Sequence, residues 1–86
     1  LTLSWHPVAW EQYIEWQTVD KHIVKRINEL VKECLRTPFE GKGKPEMLRA
    51  NLAGCWSRRI TEEYRLVYRV EGDVLYIMRC KKHYVD

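Results

Sequence analysis

The chain has 86 residues, 45% of them hydrophobic and 31% charged, with a net charge of +3. That make-up predicts a single globular domain over 1–86 and excludes a disordered chain, a membrane-spanning chain and a two-domain one. A domain this short hides only roughly 60–65% of its unfolded surface, so its core must be small.

Leu1 to Trp5 alternates apolar and polar side chains and predicts a short opening strand. The same residues lack the charged-then-apolar pattern of a signal peptide. Pro7 suits the first turn of a helix, which the spacing of Val8, Trp10, Tyr13 and Ile14 carries to about Gln17. Asp20 is an N-cap for a second helix, with Val19 and Val24 at hydrophobic-staple spacing around it. Ile23, Ile27, Leu30, Val31 and Cys34 then fall on one buried helical face, while Lys25, Arg26, Glu29, Lys32 and Glu33 fall on the solvated one. Thr37-Pro38 ends the helix, because a residue before proline disfavours helical geometry. Two glycines, a proline and alternating charge make Glu40-Gly41-Lys42-Gly43-Lys44-Pro45-Glu46 a loop. It is not a nucleotide-triphosphate loop, which needs Gly-Lys followed by Ser or Thr and then a helix.

Trp56–Ile60, Tyr64–Val70 and Val74–Cys80 are rich in β-branched and aromatic residues and are separated by the turns Thr61-Glu62-Glu63 and Glu71-Gly72-Asp73. Two adjacent hairpins make an antiparallel sheet. The predicted fold is therefore α+β: an N-terminal strand, two helices, then an antiparallel sheet with the helices packed on one face.

Charge is divided unevenly along this plan. Residues 1–41 carry five basic against six acidic side chains, and residues 42–86 carry ten against six, so a polyanion is attracted mainly to the second half. The three cysteines, Cys34, Cys55 and Cys80, are odd in number and at least twenty residues apart. They form neither a paired framework nor a CxxC metal signature, and they read as buried or incidental thiols of a reducing cytoplasm.

A three-residue turn at Thr61-Glu62-Glu63 pairs Ile60 with Tyr64 and sets Arg59 directly across from Arg65, with Arg69 on the same face. Like charges so opposed destabilise a sheet by roughly 0.2–1 kcal/mol. Either an anion lies across that face, where guanidinium groups donate paired hydrogen bonds to phosphate, or Glu62, Glu63 or solvent relieves the repulsion. After the last strand come His83 and Tyr84; His6 and His22 lie at helix starts, with nothing at ligand spacing to pair with them.

Trp10, Asp20-Lys21, Ile27-Asn28-Glu29-Leu30, Thr37-Pro38-Phe39-Glu40-Gly41-Lys42-Gly43-Lys44-Pro45-Glu46, Trp56-Ser57-Arg58-Arg59-Ile60, Arg65-Leu66-Val67-Tyr68 and His83-Tyr84 together form a pattern that resembles the YoeB/Txe family of bacterial toxins, within the larger RelE group. The resemblance implies a RelE-like fold related to microbial ribonucleases. It implies a metal-independent endoribonuclease without a cofactor, acting on mRNA in the decoding site of a translating ribosome. It also implies a cognate antitoxin that blocks the site, operator DNA bound through the antitoxin complex, and a homodimer. Position by position, Glu46 matches the general base, Arg65 the phosphate-stabilising arginine and His83 the general acid. Arg59 and Tyr84 match supporting positions, Arg49 stands where relatives often have lysine, and Lys44 is a further substrate-binding candidate.

These residue types suit the chemistry. Metal-free RNA cleavage needs a base to take the 2′-hydroxyl proton and an acid to protonate the departing 5′ oxygen. Ordinary pKa values of about 4.3 for glutamate and about 6.5 for histidine put an ionised Glu46 and a protonated His83 within reach of neutrality. Arginine donors aimed at the phosphorane are typically worth about 3 kcal/mol each. DNA, lacking the nucleophile, is not expected to be cut. A ribosome holding the codon extended supplies the in-line geometry that a shallow basic sheet does not, and Tyr84 is placed to stack on a base. The alternative is a non-catalytic interaction module, either a gyrase-directed relative or a co-repressor that helps its antitoxin bind DNA.

Overall fold

A computed structural model of the chain describes residues 1–81. The opening alternation produces β1 (Thr2–Trp5), and the two helical patterns produce α1 (Pro7–Val19) and α2 (Lys21–Arg36). His6 starts α1, its Nδ1 accepting the Val8 N–H at 3.2 Å ahead of Pro7 in the first turn. Asp20 sits in extended backbone between the helices, and its carboxylate accepts from the amides of His22 (2.9 Å) and Ile23 (3.4 Å). All five residues of the predicted α2 face are buried.

Helix α1 is tied down differently. Ala9 and Trp16 are its buried residues, whereas Val8, Trp10 and Ile14 stay exposed. Trp16 donates its indole N–H to the Cys80 carbonyl at 2.9 Å and meets the edge of Tyr64. Trp5, Trp10 and Tyr13 form an aromatic cluster toward the start of the helix, with Trp5 and Tyr13 packed against the core.

After the helices come β2 (Glu46–Met47), a 3₁₀ turn (Ala50–Leu52), β3 (Trp56–Arg59), β4 (Arg65–Glu71) and β5 (Val74–Arg79). The sheet order is β1-β5-β4-β3-β2. Strands β3, β4 and β5 are antiparallel neighbours, as the hairpins predict; β2 adds antiparallel to β3 and β1 adds parallel to β5, so the predicted α+β fold is present with a mixed five-stranded sheet. Hairpin turns dictate direction between consecutive strands. Alternation in β1 identifies a strand and says nothing about its neighbour, which is chosen by the helical crossover. One correction concerns Glu46, which the turn-rich run assigns to the loop: it opens β2, paired with Ser57 of β3.

The helices cover one face of the sheet. Leu66 and Tyr68 of β4 and Leu75 and Ile77 of β5 point at Ile27 and Leu30, all fully buried, each large apolar side chain contributing about 1.5–3 kcal/mol. Cys34 and Cys80 are buried and Cys55 half-buried, all as free thiols. Burial raises the Cys80 thiol to about 12 and pushes Cys34 up as well, which leaves both unreactive. No helix among the described residues is long and apolar enough to cross a membrane.

Candidate active site on the outer sheet face

Strand side chains alternate, so a core made from Leu66, Tyr68, Leu75 and Ile77 sends the intervening residues to the face away from the helices. Register arranges them in rows. Glu46, Ser57, Val67 and Arg79 are consecutive cross-strand partners on β2, β3, β4 and β5. Arg59 and Arg65 face each other in the next row toward the 61–64 turn, and Arg69 faces Tyr76 in the row on the other side. Sheet spacing puts the Cα atoms of Glu46 and Arg65 roughly 12 Å apart, a span that two long side chains reach across to meet on one phosphodiester.

The predicted opposition of Arg59 and Arg65 is thus present, and the turn relieves it. Arg65 is 8% exposed, and its Nη1 donates to the carbonyls of Thr61 (2.8 Å), Glu62 (3.0 Å) and Tyr64 (3.2 Å). Three acceptors on one nitrogen fix the direction of the whole guanidinium. Arg59 lies 3.6 Å from the carboxylate of Glu62, which is 94% exposed. Such an exposed pair is worth little and yields readily to a phosphate.

The loop that leads into β2 is fastened by a residue the functional reading of the sequence passed over. Arg58 shares strand parity with Trp56 and Ile60, and so points into the core, where it is fully buried. Its Nε donates to the Tyr68 hydroxyl (3.1 Å), Nη1 to Glu33 Oε2 (2.8 Å) and the Lys42 carbonyl (3.1 Å), and Nη2 to the carbonyls of Thr37 (2.5 Å) and Glu40 (2.8 Å). The Tyr68 hydroxyl in turn donates to the Pro38 carbonyl at 2.6 Å. One guanidinium therefore fastens the whole 37–42 loop to α2 and β4. Gly43 completes the attachment: its carbonyl accepts from Arg59 N–H at 2.7 Å, and at φ +83 a Cβ there meets Leu30 and Arg58 at 3.0–3.1 Å.

The electrostatics follow from that knot. The Glu33 carboxyl is held below its usual value, first by the Lys42 amide that donates to it at 2.5 Å and then, against the cost of desolvation, by Arg58. Burial opposes the charge on Arg58, but the bond to Tyr68 and the nearby negative groups outweigh it and hold its pKa above the usual range. Burial raises the Tyr68 phenol well above its ordinary range. The signal for Arg58 was in the sequence: a charge at a core-facing position of a strand requires partners.

The structure brings Glu46, Arg59 and Arg65 onto one face. Lys44, in left-handed backbone at φ 51, and Arg49, which caps the 3₁₀ turn, stand exposed on either side of β2. His83 and Tyr84 lie outside the described residues. Beyond Arg79 the chain heads toward the Arg65 end of β4. There Gln12 accepts from the Cys80 amide at 2.8 Å, and Lys81 pairs with Glu15 of α1. The 48–55 segment curls over the middle of the face, and Asn51, Leu52, Cys55, Val67, Met78 and Arg79 line a cleft of about 270 Å³. Neither the 3₁₀ turn nor this cleft was legible in the sequence.

Residues 5–84 match the family of YoeB-like toxins of bacterial type II toxin–antitoxin systems. Toxin YoeB of Escherichia coli K12 is 60% identical over 84 residues, covering 98% of this chain and all of the relative. Among solved structures, the YoeB/ParE toxin from Agrobacterium tumefaciens superimposes with a TM-score of 0.94 at 46% identity, covering 98% of this chain and all of that one. YoeB of Staphylococcus aureus, solved in a heterotetrameric complex with YefM, matches at a TM-score of 0.88 and 48% identity over 98% of both chains.

Proposed function

The chain belongs to the YoeB-like toxins of bacterial type II toxin–antitoxin systems, and on that premise we propose that it is an endoribonuclease. In this reading it cuts messenger RNA in the decoding site of the ribosome without a metal ion. Glu46 takes the proton from the 2′-hydroxyl, whose oxygen attacks the adjacent phosphorus. Arg65 and Arg59 meet the extra negative charge of the phosphorane, and His83 gives a proton to the departing 5′ oxygen. The products are a 2′,3′-cyclic phosphate and a 5′-hydroxyl end. Tyr84 stacks on a base, and Lys44 and Arg49 add positive charge along the approach of the strand.

The observation that carries this reading is the register gathering Glu46, Arg59 and Arg65 on one sheet face, with Arg65 locked in direction by three carbonyls. Its partners are a cognate antitoxin that masks the face and takes the complex to operator DNA, a second copy of the chain, and the ribosome, all in the cytoplasm. The S. aureus relative complexed with YefM supports the antitoxin, and a structure of a YoeB dimer from the same organism supports self-association.

End-mapping of RNA incubated with ribosomes and the purified chain tests it. Cyclic-phosphate ends are expected from the wild type and their near-complete loss from Arg65→Ala. In cells, Glu46→Gln or His83→Gln should relieve growth arrest. Intact RNA in the presence of ribosomes would reject the nuclease and favour a non-catalytic interaction module.

A further inference from the structure

The outer face carries two more arginines that the proposed chemistry leaves unused. Arg69 of β4 stands opposite Tyr76 of β5, its guanidinium carbon 5.4 Å from the ring centre. Its Nη2 lies 3.5 Å from Glu71, in a pair whose side chains are 41% and 57% exposed and which is therefore weak in water. Its Nε is different: it is buried, with no hydrogen-bond partner among the described residues. A desolvated N–H on a charged group that makes no bond is a costly arrangement and one that calls for an explanation.

Arg79 lies in the adjoining row. The register slip between Val67 and Tyr68 leaves Met78 as an extra residue on β5 and sets Arg79 opposite Val67. Its Nη1 donates to the carbonyl of Met78 at 2.6 Å. Arg79 lines the cleft under the 48–55 segment.

We propose that Arg69, with Arg79 beside it, holds a second phosphate of the same RNA strand whose scissile phosphate sits at Arg65. The proposal rests on the nuclease reading for the role of Arg65, but the anion site itself does not. Arg65 and Arg69 are four residues apart on one strand face, roughly 13 Å between Cα atoms, and Arg65 is held at the turn end by the carbonyls of Thr61, Glu62 and Tyr64, an arrangement that suits two phosphates of an extended strand. Swinging the Arg69 side chain outward replaces the unmade bond at Nε with a charge-assisted, two-pronged contact to phosphate oxygens, and the exposed Glu71 gives way. Regularly repeated anions are what a ladder of arginines on one strand fits, which favours a nucleic-acid strand over an acidic peptide.

The test uses the full chain and 2′-O-methyl oligoribonucleotides, which cannot be cleaved: a dinucleotide with one phosphate and a tetranucleotide with three. Arg69→Ala should weaken tetranucleotide binding about five- to tenfold at low salt while moving the dinucleotide about twofold or less. The slope of log affinity against log salt for the tetranucleotide should flatten by about 0.7. Arg69→Met, which keeps the aliphatic stem over Tyr76, should behave as the alanine variant does. Equal losses on both oligonucleotides would reveal a merely structural role and overturn the proposal, as would no loss on the tetranucleotide. If Arg65→Met weakens neither oligonucleotide while Arg69→Ala weakens the longer one, the site at Arg69 stands and the assignment of the scissile phosphate to Arg65 falls.

Discussion

Replacing Arg58 by methionine removes the guanidinium and keeps the stem, so it isolates the polar knot from the packing around it. The side chain is fully buried and donates to Tyr68, Glu33 and three carbonyls of the 37–42 loop. Deleting one partner of a buried, hydrogen-bonded ion pair typically costs about 3–5 kcal/mol, and here the carbonyls of Thr37, Glu40 and Lys42 lose their donor as well. About 4 kcal/mol is therefore expected. For a domain of this size each kcal/mol lowers Tm by about 4–8 °C, so the variant should melt about 20 °C below wild type. Arg58→Lys presents one ammonium where five bonds are needed and should recover less than half of the loss. Urea unfolding at constant slope measures the cost, and amide exchange at Lys42 reports whether the loop has come loose. Combined with Glu33→Gln, the effects should fall short of additive, because both remove the same bond. A methionine variant within about 1 kcal/mol of wild type would refute the assignment of Arg58 as the anchor of the 37–42 loop.

The Glu33 carboxyl titrates below its ordinary value of 4.5 in the folded chain, so its contribution to stability is present above that pH and is lost as pH falls through the lowered value. Urea midpoints taken from about pH 6 down to about pH 3 should fall more steeply for wild type than for Glu33→Gln, and parallel curves would contradict this. Gly43→Ala forces a Cβ against Leu30 and Arg58 at a positive φ and should cost about 1–3 kcal/mol in the same unfolding assay, with a stability equal to wild type as the contrary outcome. Asp20→Ala removes the acceptor for the His22 and Ile23 amides and should cost about 1 kcal/mol, seen as a shifted midpoint with unchanged slope. In ribosome-dependent cleavage, Glu46→Gln should lose most activity with its melting temperature unmoved, since the residue is exposed on a two-residue edge strand. A fully active variant would remove Glu46 from the role of base.

Period and punctuation determined much of this protein. The five apolar residues of α2 read as a face because helical spacing is a local property, and all five are buried. The 61–63 turn length likewise determined that Arg59 opposes Arg65, since hairpin register follows from loop length and pleat. Tertiary structure alone decided the rest. Which edge β1 joins, and in which direction, depends on a crossover that no local pattern encodes. Glu46 became a strand residue because β3 lay beside it, overriding a run of residues that breaks regular structure. The same contrast separates the two neighbours Arg58 and Arg59. Alternation in β3 sends them to opposite faces, but only the arrival of Glu33, Tyr68 and the loop carbonyls turns one buried charge into the fastening of the 37–42 loop. Those partners are between 10 and 25 residues away in the chain, and folding, a non-local event, is what brings them within bonding distance.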